Sequence, residues 1–171
     1  MITPGYARTL AEYNRWMNGK LYAACERLTE AQRKADAGAF FRSIHSTLNH
    51  ILWGDYMWLG RFTAGTALAK EYPKGSLGAD LYDDWGDLKR ARATMDGDIL
   101  AWAGTLDPAW LAADFSWYSG ITRSNRTRPA WLLVTHLFNH QTHHRGQVTT
   151  LLSQHGIDPG DTDLMLMPLP E

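Results

Sequence analysis

Apolar residues recur three and four positions apart over four long stretches of this chain, the period of a helix with one buried face. The first stretch, about Tyr6 to Leu28, carries Leu10, Tyr13, Met17, Leu21, Ala24 and Leu28 on that spacing. The second, about Phe40 to Thr63, carries Phe41, Ile44, Leu48, Ile51, Leu52, Leu59 and Phe62. The third, about Leu81 to Ala103, carries Leu81, Trp85, Leu88, Met95, Ile99 and Trp102. The fourth runs from about Pro129 to His155; Pro129 suits a first helical turn, and Gly156 suits the position just past the end. Strand signals are few, so the pattern predicts an all-α fold, a four-helix bundle in which residues 1–171 form a single domain.

The breaks between stretches are equally legible. Gly65 and Tyr72-Pro73-Lys74-Gly75 divide the second from the third, and Asp107-Pro108 follows the third. The aromatic, Gly-centred run from Phe115 to Arg123 reads as a short hairpin or an irregular excursion, so a long irregular connection is expected before the last helix. The apolar, Pro-broken tail from Met165 to Pro170 reads as an extended strap.

Composition narrows the function classes. With 17 basic and 18 acidic side chains and no basic run, nucleic acid and anionic membranes are not expected partners. No run of 18 apolar residues exists, so no membrane span is expected, and the N-terminal residues lack the pattern of a signal peptide. The single cysteine, Cys25, rules out an internal disulfide and a cysteine-rich zinc site, which fits a cytoplasmic protein. Cys25 is expected to be a small buried hydrophobe.

Candidate chemistry is concentrated in residues 136–147, where four of the seven histidines fall within nine positions. His136 and His140 are four apart, and so are His140 and His144, which places each pair on one helix face. Two imidazoles so placed can grip one transition metal, and chance supplies roughly 0.3 such pairs in a chain of this make-up. At 100° per residue His144 falls inside the apolar arc of the fourth helix and His140 on its border, whereas His136 and His143 lie outside, so His140 and His144 are the pair expected to face inward. A third ligand must come from elsewhere. His45 and His50 lie on the second helix, and the wheel there does not choose between them because that helix is apolar nearly all round.

At this point the sequence resembles the DinB/YfiT-like proteins, metal-binding four-helix bundles from bacteria. The resemblance rests on residues 13–18 (YNRWMN), residues 43–55 (SIHSTLNHILWGD) and residues 138–147 (FNHQTHHRGQ), and it extends from about Tyr6 to His155. It implies an up-down-down-up helix order, for which residues 65–80 are long enough to form the crossover. It also implies three metal ligands, His50, His140 and His144. Three neutral imidazoles would leave a divalent metal, zinc or nickel foremost, an open position for water or substrate. Asn49, Asp55, Gln141 and Gln147 are the candidates to hold the ligand rings, and Arg145 is a candidate outer-shell group or anion anchor. His45, His136, His143 and His155 are expected at the surface or in the outer shell, and Gly146 is expected to let two helices approach.

Three functions follow from that resemblance. The first is a metal-dependent enzyme that transfers a low-molecular-weight thiol of the glutathione type to an electrophilic small molecule. The second is a metal-dependent hydrolase with Asp55 as its candidate general base, although the helical wheel does not turn Asp55 toward the histidines. The third is a non-enzymatic, damage-inducible metal-binding homodimer.

Overall fold

The computed structural model describes residues 1–120 and 122–168. Its elements in chain order are α1 (Pro4–Cys25), α2 (Glu30–Lys34), α3 (Ile44–Thr63), α4 (Trp85–Ala103), α5 (Pro108–Ala112), β1 (Asp114–Ser119), β2 (Ser124–Pro129), α6 (Ala130–Gln154) and a 3₁₀ turn at Leu164–Leu166. The chain is mostly helical, and the expected all-α fold needs one correction: β1 and β2 pair antiparallel, with Asp114 opposite Pro129 and Ser119 opposite Ser124. Of the two readings of the aromatic run, the short hairpin holds and the irregular connection does not. The connection before the last helix contains α5 and this hairpin.

Local chemistry sets where the helices begin. Thr3, Ser43 and Asp84 precede α1, α3 and α4, and each side chain accepts a backbone N–H from the first turn. These caps explain why two predicted starts were early. Arg42 has φ 68, a left-handed conformation that no helix tolerates, so α3 starts after Ser43 rather than at Phe40. Asn49 Oδ1 accepts the N–H groups of Leu81 and Tyr82, which holds those residues off the helix until Asp84 caps it. Pro129 ends β2 instead of opening a helical turn. At the start of α6 the N–H of Ala130 donates to the carbonyl of Ala113, 2.9 Å away, which ties this helix to the segment after α5.

The four long helices enclose one apolar core that includes Leu21, Leu52, Leu88, Met95, Leu137 and Leu152. The helices α1 and α3, consecutive long elements in sequence, each lie beside both α4 and α6. Contacts between α1 and α4 run oppositely along the two helices: Asn18 meets Asp96 and Glu26 meets Lys89. Those between α3 and α6 do the same, from His50 with His144 to Trp58 with His136. Those between α3 and α4 run in the same sense, from Asp55 with Arg92 to Phe62 with Trp102.

A buried polar network crosses this core and joins all four helices. Gln141 Nε2 donates to Asp55 Oδ1 at 2.7 Å, and the Arg92 guanidinium pairs with Asp55 and, at 2.9 Å, with Asp96. Asn18 donates to Asp96 at 2.8 Å, and Arg145 donates to Asn14 and to Gln141 Oε1. Two guanidinium groups and two carboxylates balance in charge, which is the condition under which buried ions are tolerated. Aromatic rings extend the core: Phe62 stacks on Trp102 and meets Trp110 and Phe115 edge-on. In the tail, Met167 is buried while Leu164, Met165 and Leu166 are exposed, so only part of the expected strap packs down. Leu169 and Pro170, the end of that strap, lie outside the described residues.

Candidate metal centre

Three imidazoles from two helices converge at one end of the α3–α6 interface. His140 and His144 project from adjacent turns of α6, and His50 meets them from α3. One nitrogen of each ring lies within 4.8 Å of the others, and the group contains no carboxylate or thiol. His50 Nε2 sits 2.9 Å from His140 Nε2. A tetrahedral ion with metal–nitrogen bonds of 2.0–2.1 Å spaces its ligands about 3.3 Å apart, so the His50–His140 pair already stands within a few tenths of an ångström of that spacing.

The electronic state of the rings suits that role. Burial, reinforced by His144 nearby, pushes His50 down to about 4, and burial with the neighbouring histidines pushes His140 down to about 3. Burial lowers His144 as well. The rings are therefore neutral at physiological pH with lone pairs to offer. His144 Nδ1 donates to Gln147 Oε1 at 2.7 Å, which fixes its tautomer and leaves Nε2 as the free donor atom. The His50 and His140 nitrogens stand within hydrogen-bond distance when one of them carries a proton; with those nitrogens deprotonated, the three rings form a donor set that fits a divalent cation.

Two features that the sequence reading did not anticipate shape the centre. Phe41, in the tight turn before α3, stacks on the His50 ring at 3.7 Å between centroids and meets His144 edge-on at 5.4 Å. Gly54 lies one turn beyond His50, and a Cβ there would stand 2.8 Å from His140 Cε1. A glycine inside an otherwise strong helix costs about 1 kcal/mol against alanine, and that cost was the available signal. By contrast, a Cβ at Gly146 would meet nothing within 4 Å, so the close approach expected there belongs to Gly54.

Of the five outer-shell candidates only Gln147 bonds a candidate ligand ring. Asn49 holds the backbone of Leu81 and Tyr82. Asp55 and Gln141 bond each other within the core network, and Arg145 is buried there with Asn14, Gln141 and Thr142, unavailable as a surface anion anchor. Their register puts them one helix face away from the imidazoles. His45 is not at the surface: it is fully buried with Nε2 2.8 Å from the Tyr82 carbonyl. His136 and His143 are exposed, as expected. Cys25 is buried, and burial raises its thiol to about 12, so it is inert as a nucleophile.

The DinB family model matches residues 1–170. The chain is also 26% identical over 163 residues to protein DinB of Bacillus subtilis (strain 168), an overlap that covers 92% of this chain and 91% of that one. No helix among the described residues is long and apolar enough to cross a membrane.

Proposed function

Because the chain belongs to the DinB family, we propose that His50, His140 and His144 hold one divalent transition metal, zinc or nickel, and that the loaded protein transfers a low-molecular-weight thiol to an electrophilic small molecule. The observation that carries the metal assignment is the convergence of three ring nitrogens within 4.8 Å, contributed by two helices. Three protein ligands would leave a coordination position open. When bound, the metal would lower the pKa of a coordinated thiol and hold the thiolate. The chain's own residues keep the three imidazoles neutral by burial, orient His144 through Gln147 and cover His50 with Phe41.

Hydrolysis is the weaker reading. It asks for a general base beside the metal, and the candidate, Asp55, has its oxygens occupied by Gln141 and Arg92. We further read the bundle as up-down-down-up. The opposite running of the α1–α4 and α3–α6 contacts and the common sense of the α3–α4 contacts support that order. A cytoplasmic homodimer completes the proposal, and sedimentation of the purified protein would report its oligomeric state.

Elemental analysis of untagged protein tests the metal assignment. About one equivalent of metal is expected, falling below about 0.2 in each of His50→Ala, His140→Ala and His144→Ala. Full metal content in any one variant removes that residue from the ligand set. Glutathione conjugation to 1-chloro-2,4-dinitrobenzene, in which the thiolate sulfur bonds to the ring carbon and chloride leaves, is expected for the wild type and lost in His144→Ala; equal rates in the two proteins would discard the transfer reaction.

A further inference from the structure

The face of α3 that carries His50 continues away from the metal centre through Trp53, Met57, Arg61 and Ala64, which recur at helical spacing. The connection after α3 folds back over this face and leaves a cleft of about 540 Å³, within the range of small-molecule sites. Its walls are fixed in advance. Trp53 Nε1 donates to the Gly75 carbonyl at 2.9 Å, Tyr72 stacks on Tyr56 at 5.0 Å, and the Tyr72 hydroxyl donates to Asp98 at 3.1 Å. A Cβ at Gly60 would stand in ordinary contact with Tyr72, 3.5 Å away, so a long side chain there would project into the cleft.

The charges in the cleft are unbalanced. Lys70 is paired with Asp98. Arg61 and Lys74 have no carboxylate within ion-pair distance among the described residues, and Glu71 is the one acidic side chain in the lining. The Arg61 guanidinium is half-buried over the Trp58 ring, 4.9 Å from its centroid, and burial lowers its pKa. Among the described residues this guanidinium has no carboxylate partner, and its planar fork matches a carboxylate, sulfonate or phosphate. Flat apolar walls beside it match a planar ring.

We propose that this cleft binds a small planar apolar molecule bearing one anionic group, with its body against Trp53, Met57 and Tyr72 and its anion on Arg61. The Trp53 ring separates the cleft from the metal centre, stacking on His50 at 5.6 Å, so the site stands whether or not the histidines hold a metal.

Calorimetric titration of the full-length protein, as purified, with naphthalene-2-sulfonate and with its neutral counterpart naphthalene-2-sulfonamide tests the proposal. The sulfonate is expected to bind about tenfold more tightly, because its contact with Arg61 is charge-assisted. In Arg61→Gln that preference should shrink to within about twofold while sulfonamide affinity holds, and Gly60→Leu, which fills the floor, should weaken both ligands about tenfold or more. Equal affinities in the wild type, an unchanged preference in Arg61→Gln, or no heat from either ligand at millimolar concentration would overturn the assignment. So would Gly60→Leu binding both as the wild type does. If Arg61→Gln does not fold, the wild-type comparison and Gly60→Leu still decide.

Discussion

Gln147 and Gly54 show how much of the centre depends on single side chains that are not ligands. Gln147 fixes the tautomer of His144 through one 2.7 Å hydrogen bond. Its replacement by alanine should lower metal affinity by about 10- to 100-fold, as loss of such a partner usually does, without changing which residues bind. Competition with a chromophoric chelator measures this, and an affinity within twofold of wild type would deny Gln147 that role. Gly54→Ala sets two effects against each other. Helix propensity favours alanine by about 1 kcal/mol. The new Cβ, however, would stand 2.8 Å from the His140 ring, which must then turn away from its partners. Melting temperature should therefore hold or rise while metal affinity drops by about tenfold or more. A variant that melts higher and still binds as well as wild type would show that His140 has room to move.

Between elements, the decisive contact set is the buried network of Asp55, Arg92, Asp96, Gln141, Asn14, Asn18 and Arg145. Two helices could slide past each other on an apolar interface, but a pair such as Gln141 and Asp55 accepts only one register of α6 on α3. That register also brings His140 to His50, so the network fixes the imidazoles without touching them. Burial pushes the Asp55 carboxyl up to about 6 against the pull of Arg92. Removing one partner strands the other. Asp55→Ala should cost about 3–5 kcal/mol, whereas Asp55→Leu combined with Arg92→Met should cost much less. Urea denaturation of Asp55→Leu, of Arg92→Met and of the double variant completes the cycle, and additive losses would mean that the two side chains act independently.

At the scale of the whole molecule, the fold partly withdraws the three candidate ligand rings from water, and this sets how they answer to pH. A free imidazole titrates near 6.5, and a protonated ring cannot bind metal. Here burial holds His50 near 4 and His140 near 3, and lowers His144 too. The folded-state values lie below the free value, so affinity should persist through pH 6.5 and fall only as pH approaches the lowered values. Between pH 7.5 and 5.5 the loss should be under about tenfold, against roughly a thousandfold for three unperturbed rings. Metal titrations at the two pH values, corrected for the buffer, separate these outcomes.

The period of the apolar positions determined the four long helices, because a helix needs one buried stripe and that stripe is written locally. The spacing of His140 and His144 likewise fixed a shared face, and their place in the apolar arc turned both inward. Periodicity does not encode what two distant segments do to each other. It left His45 and His50 undecided, and tertiary packing put His45 on the Tyr82 carbonyl and His50 on the α6 pair. It read Phe41 as part of a helix stripe, whereas the left-handed Arg42 turns that ring out of the helix and onto His50. Proximity in sequence spread the outer-shell role over five residues, and side-chain geometry within α6 singled out Gln147, three residues from His144. Helix formation is a property of neighbours in sequence, but convergence of three nitrogens is a property of register between helices, and register is set by packing.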